Sequence, residues 1–151
     1  CLGMQVIAIE FARNVCKLEG ANSTEFDELS TNPIIHLMED QRYMDLVGGS
    51  MRLGAYKCKL ASGSLAEKAY NSKIISERHR HRYEFNNDYR DAFDKAGMSL
   101  SGLSENELLV EILEYPQNRF HLGVQFHPEF KSRPNRPHPL FIELLKASLE
   151  K

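Results

Sequence analysis

The sequence lacks the long apolar segment that a membrane span requires. No apolar run approaches the roughly 18 residues that cross a bilayer, and we expect no signal peptide ahead of the first predicted element. An excess of one charge is also missing, because 19 Lys and Arg residues face 21 Asp and Glu residues, for a formal net charge of −2. Nucleic acids and anionic membranes attract proteins with a strong basic field. We therefore expect neither a membrane nor a nucleic acid as a partner.

Cysteine is scarce, and its pattern does not indicate disulfides. The three residues Cys1, Cys16 and Cys58 are odd in number and widely spaced, which is typical of reduced thiols in a cytosolic protein. We therefore expect a cytoplasmic location. Neither a Cys pair nor a HExxH motif accompanies the six histidines, so we predict no bound metal. The glycine-rich run GGSMRLG (48–54) lacks the Lys-Ser/Thr of a P-loop and is predicted to be a tight turn.

The length and composition are those of one α/β domain. A chain of 151 residues with 42% hydrophobic and 26% charged residues can bury a substantial core. Helical and strand patterns alternate along it, which indicates a sheet covered by helices. The predicted helices occupy 4–18, 64–70, 88–97 and 137–151, and the predicted strands lie within 33–38, 51–60, 73–87, 109–115 and 120–126. The segment 21–33 is predicted to be a loop, and the buried face of the last helix is predicted to comprise Leu140, Phe141, Leu144 and Leu145.

The stretch GVQFHPEF (123–130) presents the first candidate catalytic residues. Pro128 cannot donate to a strand ladder, so the strand should stop there. His127 and Glu129 then lie at the end of a strand, where α/β folds place their active sites. An imidazole beside a carboxylate is a standard arrangement for a general base. The pair is also compatible with an ordinary strand end on the surface.

The opening CLGMQ presents a candidate nucleophile. Cys1 could act with its own α-amino group as the base, as in N-terminal-nucleophile hydrolases. It could equally be an internal nucleophile on a strand-to-helix elbow, where Gly3 permits the sharp turn and backbone N–H groups stabilise an oxyanion. Taken alone, it could also be a small buried core residue.

Together the two stretches resemble the class I (triad) glutamine amidotransferases. The elbow pattern C-x-G-x-Q is present as Cys1, Gly3 and Gln5, and F-H-P-E is present at 126–129. Within that superfamily the chain resembles the CTP synthases from Cys1 almost to the C-terminus. The segments that carry this resemblance are NSTEF (22–26), GGSMRLG (48–54), ERHRHRYEFNN (77–87), LVE (109–111), QFHPEFKSRP (125–134) and HPLF (138–141).

The resemblance implies a catalytic triad. Cys1 would attack the side-chain carboxamide of glutamine, form a γ-glutamyl thioester and release ammonia. His127 would act as the general base and acid, and Glu129 would hold the histidine tautomer.

The resemblance also implies how glutamine is bound. The turn that contacts the substrate would comprise Leu2, Gly3, Met4 and Gln5, with the N–H of Leu2 as an oxyanion donor. Glu25 would bind the α-amino group and Arg82 the α-carboxylate, since a zwitterion requires one anion and one cation.

The implied fold is a mostly parallel, flavodoxin-like α/β sheet flanked by helices. Residues 1–151 would form the C-terminal portion of the glutaminase domain, with its N-terminal part missing and Cys1 internal to a longer chain. An amidoligase domain outside this sequence would use ATP and Mg²⁺ to activate UTP and would receive the ammonia. GTP would be the activator and CTP an inhibitor of an oligomer, expected to be a tetramer. The segment between Leu37 and Gly48 is short for the family, which leaves any GTP contacts there in doubt.

Several alternatives stay open from the sequence. Another class I amidotransferase or a γ-glutamyl hydrolase would use the same chemistry. An N-terminal-nucleophile hydrolase would make His127 and Glu129 dispensable. A catalytically incomplete binding or regulatory domain would retain the fold without the activity.

Overall fold

The computed structural model describes residues 1–37 and 51–150. The predicted turn glycines Gly48 and Gly49, and the segment considered for GTP contacts, lie outside these residues. Within the two ranges, no helix has the length and apolar character to cross a membrane. The helices are α1 (Leu2–Asn14), α2 (Leu65–Tyr70), α3 (Arg90–Lys95) and α4 (Pro139–Leu149). The strands are β1 (Ala21–Ser23), β2 (Asn32–His36), β3 (Arg52–Leu60), β4 (Ile74–His81), β5 (Glu84–Phe85), β6 (Ser99–Ser104), β7 (Val110–Glu114) and β8 (Leu122–Val124).

The strands form two sheets. The larger sheet has the order β4-β3-β6-β7-β8, and the smaller one has the order β1-β2-β5. All four pairings in the larger sheet are antiparallel, and β1 with β2 is the parallel pair among the described strands. The α/β class is therefore confirmed, but the prediction of a mostly parallel sheet is wrong for these residues. Strands β6, β7 and β8 follow one another in the chain through loops without a crossover helix, as antiparallel neighbours do, whereas parallel neighbours usually need a crossover connection.

Helix α1 forms because apolar residues recur at helical spacing on one face. Met4, Ala8, Phe11 and Ala12 are buried, and the helix packs against both sheets through β1, β2, β7 and β8. It begins two residues before the predicted start, so that Cys1 is its N-cap residue. The helix therefore carries the candidate nucleophile at its N-terminal end.

In strand β4, the side chains of the sequence run ERHRHRYE alternate between a buried and an exposed face. The side chains of Glu77, His79 and His81 are buried, while Arg78 and Arg80 between them are exposed. A period of two is the pattern of a strand with one buried face, and the predicted strand is confirmed. The run is therefore a strand with buried imidazoles rather than a continuous basic surface.

Helix α2 begins as the sequence predicts. The Ser64 side chain accepts a hydrogen bond from the Glu67 N–H at 3.0 Å, and the Glu67 carboxylate accepts one from the Gly63 N–H at 2.6 Å. Glu114 at the end of β7 accepts two further bonds from the first turn, each 2.9 Å long. The first-turn donors that a helix leaves without intrahelical partners are satisfied in this way.

Two predictions about elements were wrong, and one strand was not predicted. The polar segment Ala21–Ser23 is a strand rather than a loop, and Ser99–Ser104 is a strand that the pattern did not reveal. Of the four residues expected to form the buried face of α4, only Leu140 is buried. The two strands are stabilised by pairing with neighbours, which overrides the weak strand preference of Ser, Asn and Gly. The residues of the expected face that stay exposed are Phe141, Leu144 and Leu145.

The contact between α1 and β8 requires a glycine. A Cβ atom on Gly123 would lie 3.0 Å from the Met4 Cα and 2.9 Å from the Ile7 Cδ1. The backbone atom cannot move without displacing the helix, so the strand and helix approach closely only because residue 123 lacks a side chain. This approach determines where Cys1 lies relative to the end of β8.

We predict that Gly123→Ala lowers the free energy of unfolding by about 1–3 kcal/mol through overpacking. It should also slow the alkylation of Cys1 by iodoacetamide, because α1 must move away from β8. Urea unfolding and mass spectrometry of the labelled peptide measure the two effects.

The matched control is Gly102→Ala, whose added Cβ would lie 2.5 Å from the Ile112 Cγ1. This substitution should cost comparable stability without changing the alkylation rate of Cys1. Equal alkylation of both variants would contradict the assigned role of Gly123.

Candidate active site

Cys1 lies at the end of β8. Its amino nitrogen donates a hydrogen bond to the Val124 carbonyl oxygen, and the Gln125 Nε2 lies 3.6 Å from its Sγ as a donor. His127 follows Val124 by three residues. The tertiary structure therefore brings the first residue of the sequence to the strand end that carries the predicted histidine.

His127 and Glu129 form a hydrogen-bonded pair at this strand end. The His127 Nδ1 donates to the Glu129 Oε1 at 2.7 Å, and the imidazole stacks on the Phe130 ring with centroids 4.7 Å apart. The His127 N–H donates to the Arg78 carbonyl on β4 at 2.9 Å. Among the described residues, the buried Nε2 of His127 has no hydrogen-bond partner. The pair thus fixes one ring nitrogen and leaves the other available as a base.

The electrostatics link this pair to Cys1. Burial alone would raise the pKa of Glu129, but the hydrogen bonds that its carboxylate accepts, that from His127 foremost, and nearby positive charge together outweigh burial and lower that pKa. Glu129 lies close enough to the Cys1 backbone nitrogen for its charge to act there. Glu129 is therefore an ionised carboxylate within electrostatic range of the Cys1 backbone.

The N-terminus of α1 provides hydrogen-bond donors beside the thiol. Cys1 is the N-cap residue, and its carbonyl accepts the first helical bond from the Gln5 N–H at 3.2 Å. The N–H groups of a first helical turn have no acceptor within their own helix. Such donors, including that of Leu2, can stabilise negative charge that develops on a bound carbonyl oxygen.

A cavity of about 490 Å³ opens beside Cys1. Five of the residues predicted to act on or bind glutamine line it, namely Cys1, Leu2, Gln5, Glu25 and Arg82. Four others do not line it, namely His127, Glu129, Gly3 and Met4. Gly3 is exposed on α1, and Met4 is buried in the core with 1% of its surface accessible.

Glu25 and Arg82 supply opposite charges to the cavity. Glu25 lies in the turn after β1, where its N–H donates to the Ser23 Oγ at 3.2 Å. Arg82 lies in the corner between β4 and β5. The two residues belong to segments far apart in sequence, and both are exposed at the cavity. An amino acid with both α-groups ionised fits such a pair.

A buried polar network lies next to the cavity. Arg52 donates to the Glu84 Oε1 at 3.2 Å and to the Glu111 Oε1 at 2.8 Å. The side chains of both glutamates are 0% exposed. Burial raises the pKa of Glu84 to about 8, although Arg52 opposes the shift, and burial likewise raises the pKa of Glu111. Arg52 thereby connects β5 of the smaller sheet with β7 of the larger one.

Sequence reasoning missed two parts of this region. Gln125 contacts the Cys1 thiol, and the available signal was its position two residues before His127, on the same face of the strand. His81 lines the cavity, and the sequence interpretation included it only among the six histidines and within the segment ERHRHRYEFNN. The signal for His81 was the alternation of histidine and arginine, which places the imidazoles on one face. Over residues 1–37 and 51–150, no cluster of three His, Cys, Asp or Glu side chains could hold a metal ion.

Comparisons with known proteins agree on one family. The family model described as "Glutamine amidotransferase class-I" matches residues 1–147. The CTP synthase of Geotalea uraniireducens (strain Rf4) is 58% identical over 149 residues, which cover 99% of this chain and 28% of that protein. The CTP synthase of Treponema denticola is 56% identical over 150 residues, with the same two coverages. This chain therefore spans 28% of the length of these curated relatives.

A solved structure gives a matching result. The Trypanosoma brucei CTPS glutaminase domain with bound acivicin superimposes with a TM-score of 0.92 at 40% identity. The match covers 99% of this chain and 58% of that one. The similarity of fold therefore extends over nearly the whole of this sequence.

We predict that Glu84→Gln reduces the loss of stability that the protein shows as the pH rises. The folded-state pKa of Glu84 is raised from 4.5 to about 8, so its contribution to stability is fully present below pH 4.5 and is lost between pH 4.5 and 8. The loss amounts to at most about 1.4 kcal/mol per pH unit. Gln resembles the protonated acid and cannot ionise, so the free energy of unfolding should fall less between pH 5 and 8. Urea unfolding at both pH values measures the difference.

The control is Glu105→Gln, which changes an exposed carboxylate that pairs with Lys57. This variant should retain the pH dependence of the unmodified protein. An unchanged pH dependence in Glu84→Gln would show that Glu84 is ionised in the folded protein at pH 7.

Proposed function

The chain belongs to the class I glutamine amidotransferase family, and we propose that it hydrolyses glutamine to glutamate and ammonia with Cys1 as the nucleophile. The observation that carries this proposal is the His127–Glu129 pair, 2.7 Å apart, at the strand end to which Cys1 is bonded. A thiol, an imidazole and a carboxylate in this order form an activated nucleophile.

The first half of the reaction forms a thioester. The Nε2 of His127 accepts the Cys1 thiol proton, and the thiolate attacks the side-chain amide carbon of glutamine. The oxyanion that develops is stabilised by the N-terminus of α1, including the Leu2 N–H. His127 then returns the proton to the amide nitrogen, the C–N bond breaks, and ammonia leaves the γ-glutamyl thioester. Glu129 holds the Nδ1–H of His127 and stabilises the charged imidazole.

The second half of the reaction releases glutamate. His127 removes a proton from a water molecule, which attacks the thioester carbon. The C–S bond breaks, and the thiolate of Cys1 recovers the proton from His127. The Phe130 ring, stacked on the imidazole, keeps the imidazole plane in place through both halves.

Glutamine is held by charge at its α-carbon end. The Glu25 carboxylate accepts hydrogen bonds from the α-ammonium group, and the Arg82 guanidinium donates to the α-carboxylate. Gln5 lines the same cavity as these charges and Cys1. Leu2, Gly3 and Met4 contribute backbone atoms to the same turn, since the Met4 side chain is committed to the core.

The chain is the glutaminase part of a CTP synthase in this proposal. Support comes from the two CTP synthases at 56% and 58% identity over nearly the whole chain. The ammonia would pass to an amidoligase domain outside this sequence, which would bind ATP and Mg²⁺ and aminate a 4-phosphorylated UTP to CTP. The other properties that belong to the proposal are GTP as activator, CTP as inhibitor, assembly as a tetramer and a cytoplasmic location.

We predict that a diazo-ketone analogue of glutamine labels Cys1 alone among the three cysteines. The thiolate would displace N₂ from the reagent bound in the cavity. Cys58 is buried and Cys16 lies away from the cavity lining, so neither should react at a comparable rate. Peptide mapping by mass spectrometry identifies the labelled residue.

The variant His127→Ala separates the triad from the alternatives. Its labelling should slow by a factor of about 10² or more, since the thiol loses its base. Unchanged labelling of His127→Ala would favour an N-terminal nucleophile, for which His127 and Glu129 are dispensable. Equal labelling of all three cysteines in the native protein would favour a catalytically incomplete binding or regulatory domain. Glutaminase activity that releases ammonia without aminating UTP in the intact protein would favour another amidotransferase or a γ-glutamyl hydrolase.

We predict that Glu25→Gln raises the KM for glutamine about 10- to 100-fold, because it removes a charge-assisted hydrogen bond to the α-ammonium group. The value of kcat should change less, since Glu25 does not contact the amide that reacts. The control is Glu28→Gln, which changes an exposed carboxylate three residues further along the chain that does not line the cavity. A similar KM for both variants would mean that Glu25 does not bind the substrate.

A further inference from the structure

The corner between β4 and β5 holds Arg82 at the cavity. On either side of this exposed residue the chain is anchored, because His81 is only 5% exposed and Glu84 is 0% exposed. Arg52 donates a hydrogen bond to the carboxylate of Glu84, the first residue of β5. The position of the Arg82 side chain therefore depends on how firmly the residues beside it are held.

His81 and its neighbour His79 are neutral at physiological pH. Burial lowers the pKa of His79 to about 2 and that of His81 to about 3, and the nearby positive charge of Arg52 adds to both shifts. A neutral imidazole carries one N–H donor and one bare nitrogen acceptor. The hydrogen-bond partners of the two rings then determine which nitrogen carries the proton.

The partners assign one tautomer to each ring. The His81 Nδ1 lies 3.2 Å from the Tyr83 carbonyl oxygen and 3.4 Å from the Glu84 Oε1. Two acceptor atoms at this nitrogen require it to carry the proton. The His81 Nε2 is then an acceptor, so the His79 Nδ1, 2.8 Å away, must donate to it. Hydrogen bonds therefore run in one direction, from His79 to His81 to Tyr83.

The Tyr83 carbonyl is the point where this chain of bonds meets the active site. It also accepts a hydrogen bond from the Gln5 Nε2 at 3.3 Å. Gln5 lies on the first turn of α1, one turn from Cys1. The carbonyl is thus hydrogen-bonded both by His81 and by Gln5 of the helix that carries the candidate nucleophile.

We propose that His81 is a positioning residue for glutamine binding, whose Nδ1–H holds the Tyr83 carbonyl and thereby fixes Arg82 at the cavity. The inference deepens the proposed function and rests on it, because the role of Arg82 at the α-carboxylate belongs to that proposal. His81 itself does not bond to the amide that reacts. Its effect is therefore expected on substrate binding rather than on the chemical step.

The test is the steady-state hydrolysis of glutamine by two variants of the intact protein. His81→Leu removes the donor, and we expect the KM for glutamine to rise about tenfold, with kcat within about threefold of the original value. His81→Asn places an amide N–H where Nδ1 stood, and we expect the KM to stay within about threefold of the original value. A KM in His81→Leu equal to that of the original protein would overturn the proposal, as would a loss confined to kcat.

A double-mutant cycle tests whether His81 acts through Arg82. Arg82→Ala alone should raise the KM, and adding His81→Leu should raise it little further, because the positioned group is already gone. Independent effects that multiply in the double variant would overturn the proposal. If His81→Leu does not fold, His79→Phe provides a second measurement. It removes the donor that orients His81, and it should raise the KM to a value between those of the original protein and Arg82→Ala.

Two controls separate this inference from other causes. His138→Asn changes a second buried histidine, which contacts Glu77 and Tyr70 and does not line the cavity, and it should leave the KM unchanged. Alkylation of Cys1 by iodoacetamide, which needs no α-carboxylate site, should be equal in His81→Leu and the original protein. A slower alkylation would show a disturbed nucleophile and overturn the positioning role. Absence of glutamine hydrolysis in the original protein would instead refute the proposed function itself.

Discussion

The close contact between α1 and β8 is the constraint on which the candidate site depends. Gly123 has no side chain, so the backbone of Met4 can lie against the strand. The Cys1 nitrogen then reaches the Val124 carbonyl, three residues before His127. One contact therefore joins residues from opposite ends of the chain. Cys1 caps α1, and the His127 N–H donates to Arg78 on β4. Both residues are therefore held by hydrogen bonds to regular elements, which position reacting groups more narrowly than free loops do.

The buried polar network supports the side of the cavity that carries Arg82. Burying charge is costly unless each group is neutralised or paired. The network meets this requirement because both histidines are neutral, burial raises the pKa of Glu84 to about 8, and Arg52 is paired with Glu111. Hydrogen bonds have a preferred direction, whereas apolar contacts tolerate sliding. The corner that carries Arg82 is therefore oriented by directional bonds, although it lies at an exposed edge.

Local signals predicted the elements whose stability is local. The predicted helices over 4–18 and 64–70 correspond to α1 and α2, and the predicted strand within 73–87 contains β4. Elements that depend on distant partners were missed or predicted wrongly. Strand β6 consists of Ser, Leu and Gly, and it is a strand because β3 and β7 supply its hydrogen-bond partners. The parallel orientation predicted for the strands was also wrong, since the periodicity of a strand does not specify which strand it pairs with or in which orientation. The prediction of the buried face of α4 was wrong for a related reason. An apolar stripe on a helix does not specify how much of that stripe packs against the rest of the protein.

The sequence by itself determined which chemical groups are present for catalysis and binding. The thiol of Cys1, the imidazole and carboxylate of His127 and Glu129, and the opposite charges of Glu25 and Arg82 are all readable from motifs, because each motif is contained within a few neighbouring residues. Only the tertiary structure decided which of these groups face one cavity, that Met4 belongs to the core, that Gln125 contacts the Cys1 thiol and that His81 lines the cavity. The physical reason is that neighbourhood in space depends on helix–strand packing and strand pairing across more than 100 residues. Such long-range contacts are determined by the whole fold rather than by any local pattern.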